Sequence, residues 1–374
     1  MEMTKARAWR ELNQAALRQN VKILQEALAP GCRLMAVVKA DAYGHGAIPV
    51  ARYLQAQGVE AFAVACLSEA AALREAGIEG KILILGYTPP QLAPELSRYR
   101  LIQTVADEAH GLALERQGIP LSVHLGLDTG MHRLGIPAED RQALSRIYAC
   151  KHLRIQGVFS HLCVADGTSA RDIAFTRAQL DAFYAAVDWL RRHGMDPGEI
   201  HIQCSAGILQ LPPQHCAWAR AGIALYGVAP GTFSERAGML RPVLSLRARI
   251  ASVRTLLPGQ GAGYGLEFLA ARQTRLATVT IGYGDGLPRC LPQRGGEVLL
   301  NGQRCPMVGR MCMDQLLVDV TDAGEAAPGD VVTILGQDGA ETISAAGIAA
   351  QCGTIPNELL SRLEPRLPVV ERMD

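Results

Sequence analysis

The sequence predicts an α/β chain, an N-terminal (β/α)8 barrel of the TIM type followed by a mostly-β C-terminal domain, and three observations carry that prediction. Eight short apolar runs, at 34–39, 61–66, 81–86, 101–105, 121–127, 155–161, 199–204 and 217–220, read as strands buried on both faces. Helical patterns at 46–57, 68–76, 91–98, 107–117, 138–149, 171–193 and 205–210 separate them. Such alternation over roughly 200 residues suits a closed barrel better than an open doubly wound sheet, and no Gly-x-Gly-x-x-Gly follows the first strand. After Gly227 the pattern changes. Short strands dominate, at 243–256, 275–281, 297–300, 306–309, 315–320 and 331–335, and Asn301-Gly302 between two of them is a type I′ hairpin signal. The expected domains are 11–240 for the barrel and 241–374, with 1–10, for the β domain, divided near Val228–Thr232 and Arg241-Pro242.

Taken in order, residues 6–11 read as a short strand. Leu17, Val21, Leu24 and Leu28 then recur at helical spacing until Ala29-Pro30-Gly31 stops the helix. Ser68 before Glu69 reads as an N-cap with an acidic first turn, and Gly77 and Gly118 stand where C-caps are wanted. In the second domain Ser344–Cys352 is the only evident helix before the C-terminal segment.

Composition narrows the function classes. The chain has 374 residues, 49% hydrophobic and 20% charged, which is ordinary for a soluble globular protein. Its net charge of +1 and the lack of a basic run with interleaved aromatics give no reason to expect nucleic acid as a partner. No apolar run approaches the roughly 18 residues of a membrane helix, and Met1-Glu2-Met3-Thr4-Lys5 has no hydrophobic signal core. Ten cysteines without a C-x-x-C pair read as buried free thiols of a reducing, cytoplasmic compartment. Nine histidines without an H-x-x-x-H pair argue against a metal site.

The chemistry begins at Leu34-Met35-Ala36-Val37-Val38-Lys39, where an apolar run ends in a lysine. Desolvation lowers an amine's pKa, the setting in which a lysine bonds a carbonyl or acts as a general base. Barrel active sites lie at the C-terminal ends of the strands. That rim collects Lys39 after the first strand, Arg133 after the fifth, His161 at the end of the sixth, Ser205 after the seventh and Arg220 after the eighth. Ser205-Ala206-Gly207 and Ala221-Gly222-Ile223 add small residues whose backbone N–H groups suit a phosphate. A reactive lysine facing a phosphate cradle is the arrangement expected for pyridoxal 5'-phosphate. A lysine-dependent aldolase has both features too, and at this point both stay open.

The residues also resemble a known family, the alanine racemases. The likeness starts at Ala36-Val37-Val38-Lys39-Ala40-Asp41-Ala42-Tyr43-Gly44-His45-Gly46 and continues through Leu127-Asp128-Thr129-Gly130-Met131-His132-Arg133-Leu134-Gly135 and Ser160-His161. It runs on through Arg220-Ala221-Gly222-Ile223-Ala224-Leu225-Tyr226-Gly227, Gly263-Tyr264-Gly265, Gly282-Tyr283-Gly284-Asp285-Gly286 and Gly309-Arg310-Met311-Cys312-Met313-Asp314. The resemblance implies a barrel, a C-terminal β domain, pyridoxal phosphate, and a head-to-tail homodimer with shared active sites. Lys39 would hold the cofactor and serve as base on one substrate face, and Tyr264 of a second copy as base on the other. Tyr43, Ser205, Gly222 and Ile223 would bind phosphate. His161 would lie against the pyridine ring and Arg220 would face its nitrogen. Arg133 and the second copy's Met313 backbone would bind the substrate carboxylate, with that copy's Tyr283 narrowing the entrance. A tyrosine near its reference pKa of about 10 is roughly three units too basic for neutral pH, about 4 kcal/mol, so nearby positive charge is needed.

Three positions depart from the family's common pattern. Gly126 stands where many members have a lysine, often carbamylated, that orients the carboxylate-binding arginine. Cys204 replaces an asparagine before Ser205. Asn357 falls where alanine racemases carry a tyrosine that reaches the substrate pocket. In this the chain resembles the serine/alanine racemases linked to vancomycin resistance, which supply D-serine for peptidoglycan precursors and form the cytoplasmic half of a membrane-anchored protein. A pocket with room for a hydroxyl discriminates only about a hundredfold, so both serine and alanine are expected to react. The rivals are an ordinary biosynthetic alanine racemase, a barrel-type pyridoxal-phosphate decarboxylase, for which an acidic residue would be expected in place of Arg220, and a non-catalytic pyridoxal-phosphate-binding barrel.

Overall fold

The computed structural model describes residues 5–231 and 234–373, so that Met1–Thr4 and Thr232, named above, lie outside the described residues. It contains two compact units. One groups Arg18–Ala42 with Ala47–Leu240; the other groups the N-terminal residues through Leu17, Tyr43–Gly46, and the residues from Arg241 onward.

In the first unit, eight parallel strands follow one another: Arg33–Val37, Ala61–Val64, Lys81–Ile84, Ile102–Val105, Leu121–Asp128, Leu153–Phe159, Glu199–His201 and Trp218–Ala221. The last lies beside the first, and Ala217 N–H to Ile200 O (2.9 Å) and Arg220 N–H to Gln203 O (3.0 Å) join it to the seventh, closing the barrel. All four residues of Ala61–Val64 are buried, as an apolar run between helices on one side and a barrel core on the other requires. Most of these strands end earlier than their apolar runs, because the last residues of each run already turn toward the next helix. Two local expectations fail. The helix Leu67–Glu75 starts one residue before Ser68, with Cys66 at its cap position, so Ser68 is inside the first turn and Glu69 is free to bond elsewhere. All ten cysteines are free thiols, but only Cys216 and Cys305 are buried and Cys290 is exposed.

In the second unit, the strands Val331–Asp338, Glu297–Leu300, Gln303–Val308, Leu316–Asp319, Thr274–Val279 and Leu244–Leu256 are neighbours in that order. The last pairs back to the first, closing a six-stranded ring. Ala8–Asn13 extends this sheet, antiparallel to Leu244–Leu256 and parallel to Val369–Arg372. Asn301 and Gly302, at φ 52° and 74°, form the expected tight hairpin between Leu300 and Gln303. Ser344 caps the helix Ala345–Cys352 by accepting from Gly347 N–H. A further helix, Pro356–Ser361, begins with a proline at its first position and was not expected. No described helix is long and apolar enough to cross a membrane.

Candidate active site

The first barrel strand ends at Val37, two residues short of the expected strand end, and Lys39 opens the turn that follows. Ala40, Asp41, Ala42 and Tyr43 all have φ between 51° and 55°, and Gly44 continues at 74°, so this turn is left-handed. Ala40, Ala42 and Tyr43 in that conformation cost about 1–2 kcal/mol each, on the order of 3–6 kcal/mol together, while aspartate tolerates it more readily. Surrounding contacts hold the turn. Glu69 accepts from Ala40 N–H through one carboxylate oxygen and from Ala65 N–H through the other, both at 2.7 Å. Asp41 accepts from Ala47 N–H (2.7 Å). Within the second unit, a Cβ on Gly44 would sit 2.0 Å from Leu360 O, so Gly44 itself packs closely on the helix Pro356–Ser361. Burial lowers the Lys39 amine below the ordinary lysine value; Arg133 lowers it further and Glu69 partly opposes.

Arg220 lies inside the eighth strand, not after it, and is only 3% exposed. Its Nη1 donates to His201 Nδ1 (2.5 Å) and His201 O (3.2 Å), and its Nη2 to Ser160 O (2.6 Å), His161 Nδ1 (3.4 Å) and Ile202 O (3.4 Å). The guanidinium also lies 5.1 Å from the Phe159 ring, which stacks on His201. Burial, with Arg220, Arg133 and Lys39 around it, pushes the His161 imidazole down to about 3. Four of the five rim groups are therefore within electrostatic reach of one another. Burial lowers even Arg220, to about 10, still charged at neutral pH.

Ser205 starts the short helix Ser205–Gln210, and its Oγ accepts from Gly222 N–H (2.9 Å) and Ala224 N–H (3.3 Å). The N–H of Ile223, between them, takes no partner among the described residues. Cys204, at the cap position, makes no side-chain cap bond. Arg133 is exposed, without a side-chain hydrogen bond or ion pair among the described residues. Its loop is held by Asp128, which accepts from Gly130 and His132 N–H, and by Gly135 N–H to Ala106 O (2.5 Å). A Cβ on Gly126 would meet Gly135 Cα and Val105 O at 3.4 Å and the Thr104 methyl at 3.6 Å, ordinary contact distances.

The remaining residues lie in the second unit. Tyr43 and Asn357 are half-buried, Asn357 in the first turn of Pro356–Ser361. Tyr264 follows Gly263, with Gly265 after it, both at positive φ, and is 67% exposed. Tyr283 and Met313 are brought together: Tyr283 N–H donates to Cys312 O (3.1 Å) and Gly284 N–H to Met313 O (2.8 Å). A Cβ on Gly282 would lie 2.3 Å from Cys312 O, which explains the glycine. Met313 is 54% exposed and its own N–H has no partner among the described residues. Buried Asp285 ties these loops together, accepting from Gly282 N–H (2.9 Å) and pairing with Arg7 (2.6 Å) and Arg366 (2.8 Å). Sequence reasoning missed Glu69, His201, His124 and Asp285 as supports. Only Asp285 carried a signal, a carboxylate between the glycines of Gly282–Gly286.

Comparison with known proteins gives this geometry a family. Residues 12–230 match the family described as alanine racemase, N-terminal domain, and residues 243–371 match alanine racemase, C-terminal domain. The chain is 41% identical over 369 residues to an amino-acid racemase of Enterococcus faecalis, covering 98% of this chain but spanning only 52% of that relative's length. It is 40% identical over 367 residues to an alanine racemase of Desulfovibrio desulfuricans, covering 97% of each. Among solved structures, the alanine racemase of Bacillus anthracis with bound L-Ala-P is similar at a TM-score of 0.91 and 32% identity, over 98% of this chain and 95% of that one. The alanine racemase of Clostridium difficile 630 in complex with cycloserine gives 0.90 and 30%, over 99% and 97%. The chain belongs to the alanine racemase family.

Proposed function

We propose that the chain is an amino-acid racemase that interconverts L- and D-alanine with pyridoxal phosphate held on Lys39. The observation that carries this reading is a desolvated lysine amine grouped with His161, Arg133 and Arg220 on a chain of this family. The residues fit the cofactor. Burial favours the uncharged amine that bonds an aldehyde, and Ile223 offers an N–H without a partner among the described residues, between the two that Ser205 already engages. Tyr43, Ser205, Gly222 and Ile223 would hold the phosphate, and His161 the ring. When bound, pyridoxal phosphate supplies the electron sink that acidifies the substrate's α-C–H.

Around it each residue has one task. Lys39 takes or returns the α-proton on one face, and Tyr264 of a second copy does so on the other, since racemisation needs a base on each side. Arg220 does not give up a proton, so against the pyridine nitrogen it would leave that nitrogen unprotonated, which would weaken the electron sink and limit side reactions such as transamination. Arg133 and the second copy's Met313 N–H bind the substrate carboxylate, with Tyr283 at the entrance. The exposure of Tyr264, Leu266, Leu269, Met313 and Ile355 in the second unit supports a homodimer in which these residues face the other copy's site.

The test is a coupled assay of the purified chain with L-alanine and L-serine. D-alanine is expected from the first, and absence of a D-amino acid from both would overturn the reading.

A second reading, serine as an additional substrate, is favoured by Asn357. Its amide is small and half-buried, in the first turn of Pro356–Ser361, where the family's common pattern has a tyrosine. Supply of D-serine to peptidoglycan precursors in vancomycin resistance goes with this reading and falls with it. Asn357→Tyr is expected to lower serine turnover on the order of tenfold more than alanine turnover, since it removes space and a hydrogen-bonding amide together. Equal losses in kcat/KM for the two substrates would show that Asn357 is not the selector.

A further inference from the structure

We infer that His124 is a positioning residue, fixing the tautomer of His201 and through it the orientation of Arg220. The inference rests on the reading of Arg220 as the group facing the pyridine nitrogen, and it concerns residues one and two steps behind that contact.

The hydrogen-bond polarity follows from Arg220. A guanidinium has five N–H donors and no acceptor. Its Nη1 lies 2.5 Å from His201 Nδ1, so that nitrogen must offer a lone pair, and the neutral ring carries its proton on Nε2. His201 Nε2 lies 2.9 Å from His124 Nδ1, so His124 must accept there and carry its own proton on Nε2. The chain thus runs one way, Arg220 to His201 to His124. Protonating either imidazole would set two N–H groups against each other and add a cation beside the guanidinium. Burial, with Arg220 near, keeps both rings neutral: His124 is pushed down to about 3, with Lys81 also lowering it and Glu199 opposing, and His201 falls well below its ordinary value.

The barrel makes room for this contact. Gly126, Phe159 and His201 pair in register along the fifth to seventh strands, and two residues earlier His124, Gly157 and Glu199 do the same. Residues two apart on a strand share a face, so His124 belongs to the row next to His201. Gly157 provides the space, since a Cβ there would come within 2.7 Å of His124 Cε1 and 2.8 Å of Nε2. The outer side of the ring gains nothing. His124 Nε2 is buried and has no partner among the described residues, where a leucine would leave no orphan donor. What the histidine supplies is Nδ1, the acceptor that holds His201 in one tautomer. With Nη1 and Nη2 committed, the Arg220 Nε–H is the donor that has no partner among the described residues.

Two variants separate this role from simple packing. His124→Asn places Oδ1 near the position of Nδ1 and keeps the acceptor, whereas His124→Leu fills space without one. Long-range 15N–1H spectra of the histidine-labelled full chain, before and after adding pyridoxal phosphate, read the His201 tautomer. Wild type and His124→Asn are expected to show His201 protonated on Nε2 alone. His124→Leu is expected to lose that single tautomer, to bind pyridoxal phosphate roughly tenfold more weakly, the scale of one lost buried hydrogen bond, and to raise transamination relative to racemisation. His201 protonated on Nδ1 in the wild type, or His124→Leu with unchanged tautomer and affinity, would overturn the inference. If His124→Leu does not fold, the wild-type and His124→Asn spectra still decide it. The expected tautomers in a protein that makes no D-amino acid would sustain the histidine coupling and sink the racemase reading instead.

Discussion

Lys39→Ala is expected to lower racemisation at least about a thousandfold in both directions. A positioned general base alone is worth about 10²–10⁴ in rate, and under the proposed reading this substitution would also remove the covalent attachment of the cofactor. The fold should survive. The lysine opens a turn whose hydrogen bonds run through the backbone of Ala40, Ala42 and Ala47, none of which the side chain makes. Thermal melting should therefore change little while initial rates from L- and D-alanine collapse together. A variant retaining a tenth of wild-type kcat would remove Lys39 from the chemistry. Tyr264→Phe provides the directional control. With one base left, α-proton exchange with deuterated solvent should continue for the enantiomer served by Lys39 and stop for the other. Equal exchange from both would argue against the two-base assignment.

Asp285→Ala is expected to give the largest loss of stability in the second unit. The carboxylate is fully buried and is shared by two arginines and a backbone N–H. Removing it leaves Gly282 N–H unpaired and the Arg7 and Arg366 guanidinium groups without their shared counter-ion. Both arginines are about 40% exposed, so water recovers part of the loss. The expected cost is about 2–4 kcal/mol, below the full penalty for a stranded buried charge, with a melting temperature lower by on the order of 10 °C. Because Arg366 also pairs with Asp314 (2.9 Å), the Met313 loop should loosen with it. KM for the amino acid should then rise more than kcat falls. An unchanged melting curve in urea or heat would show that the arginines find other partners and that Asp285 is not the anchor.

The barrel was legible because strands covered on both faces must be continuously apolar, and the hairpin was legible because Asn301-Gly302 is the pair that tolerates positive φ twice in succession. What the sequence hid is what distant contacts impose. Nothing in Ala40-Asp41-Ala42-Tyr43 asks for a left-handed backbone; Glu69, on a different segment, holds Ala40 in it by accepting from its N–H. Ser68 was misplaced because a serine next to an acidic residue also fits one position further into the helix. The supporting histidines were invisible for a different reason. His124 and His201 sit in strands, where a polar residue reads as an interruption until the register shows that they meet.

The left-handed turn also limits how this stretch can vary over time. At positions 40–43 a substitution is filtered first by the sign of φ and only then by what its side chain does. Glycine, asparagine and aspartate enter at little backbone cost, while valine, isoleucine, threonine and proline are excluded before any question of chemistry arises. The residues next to Lys39 are thus held to a small alphabet by geometry alone, and the most restricted part of the sequence can include side chains that never touch a ligand.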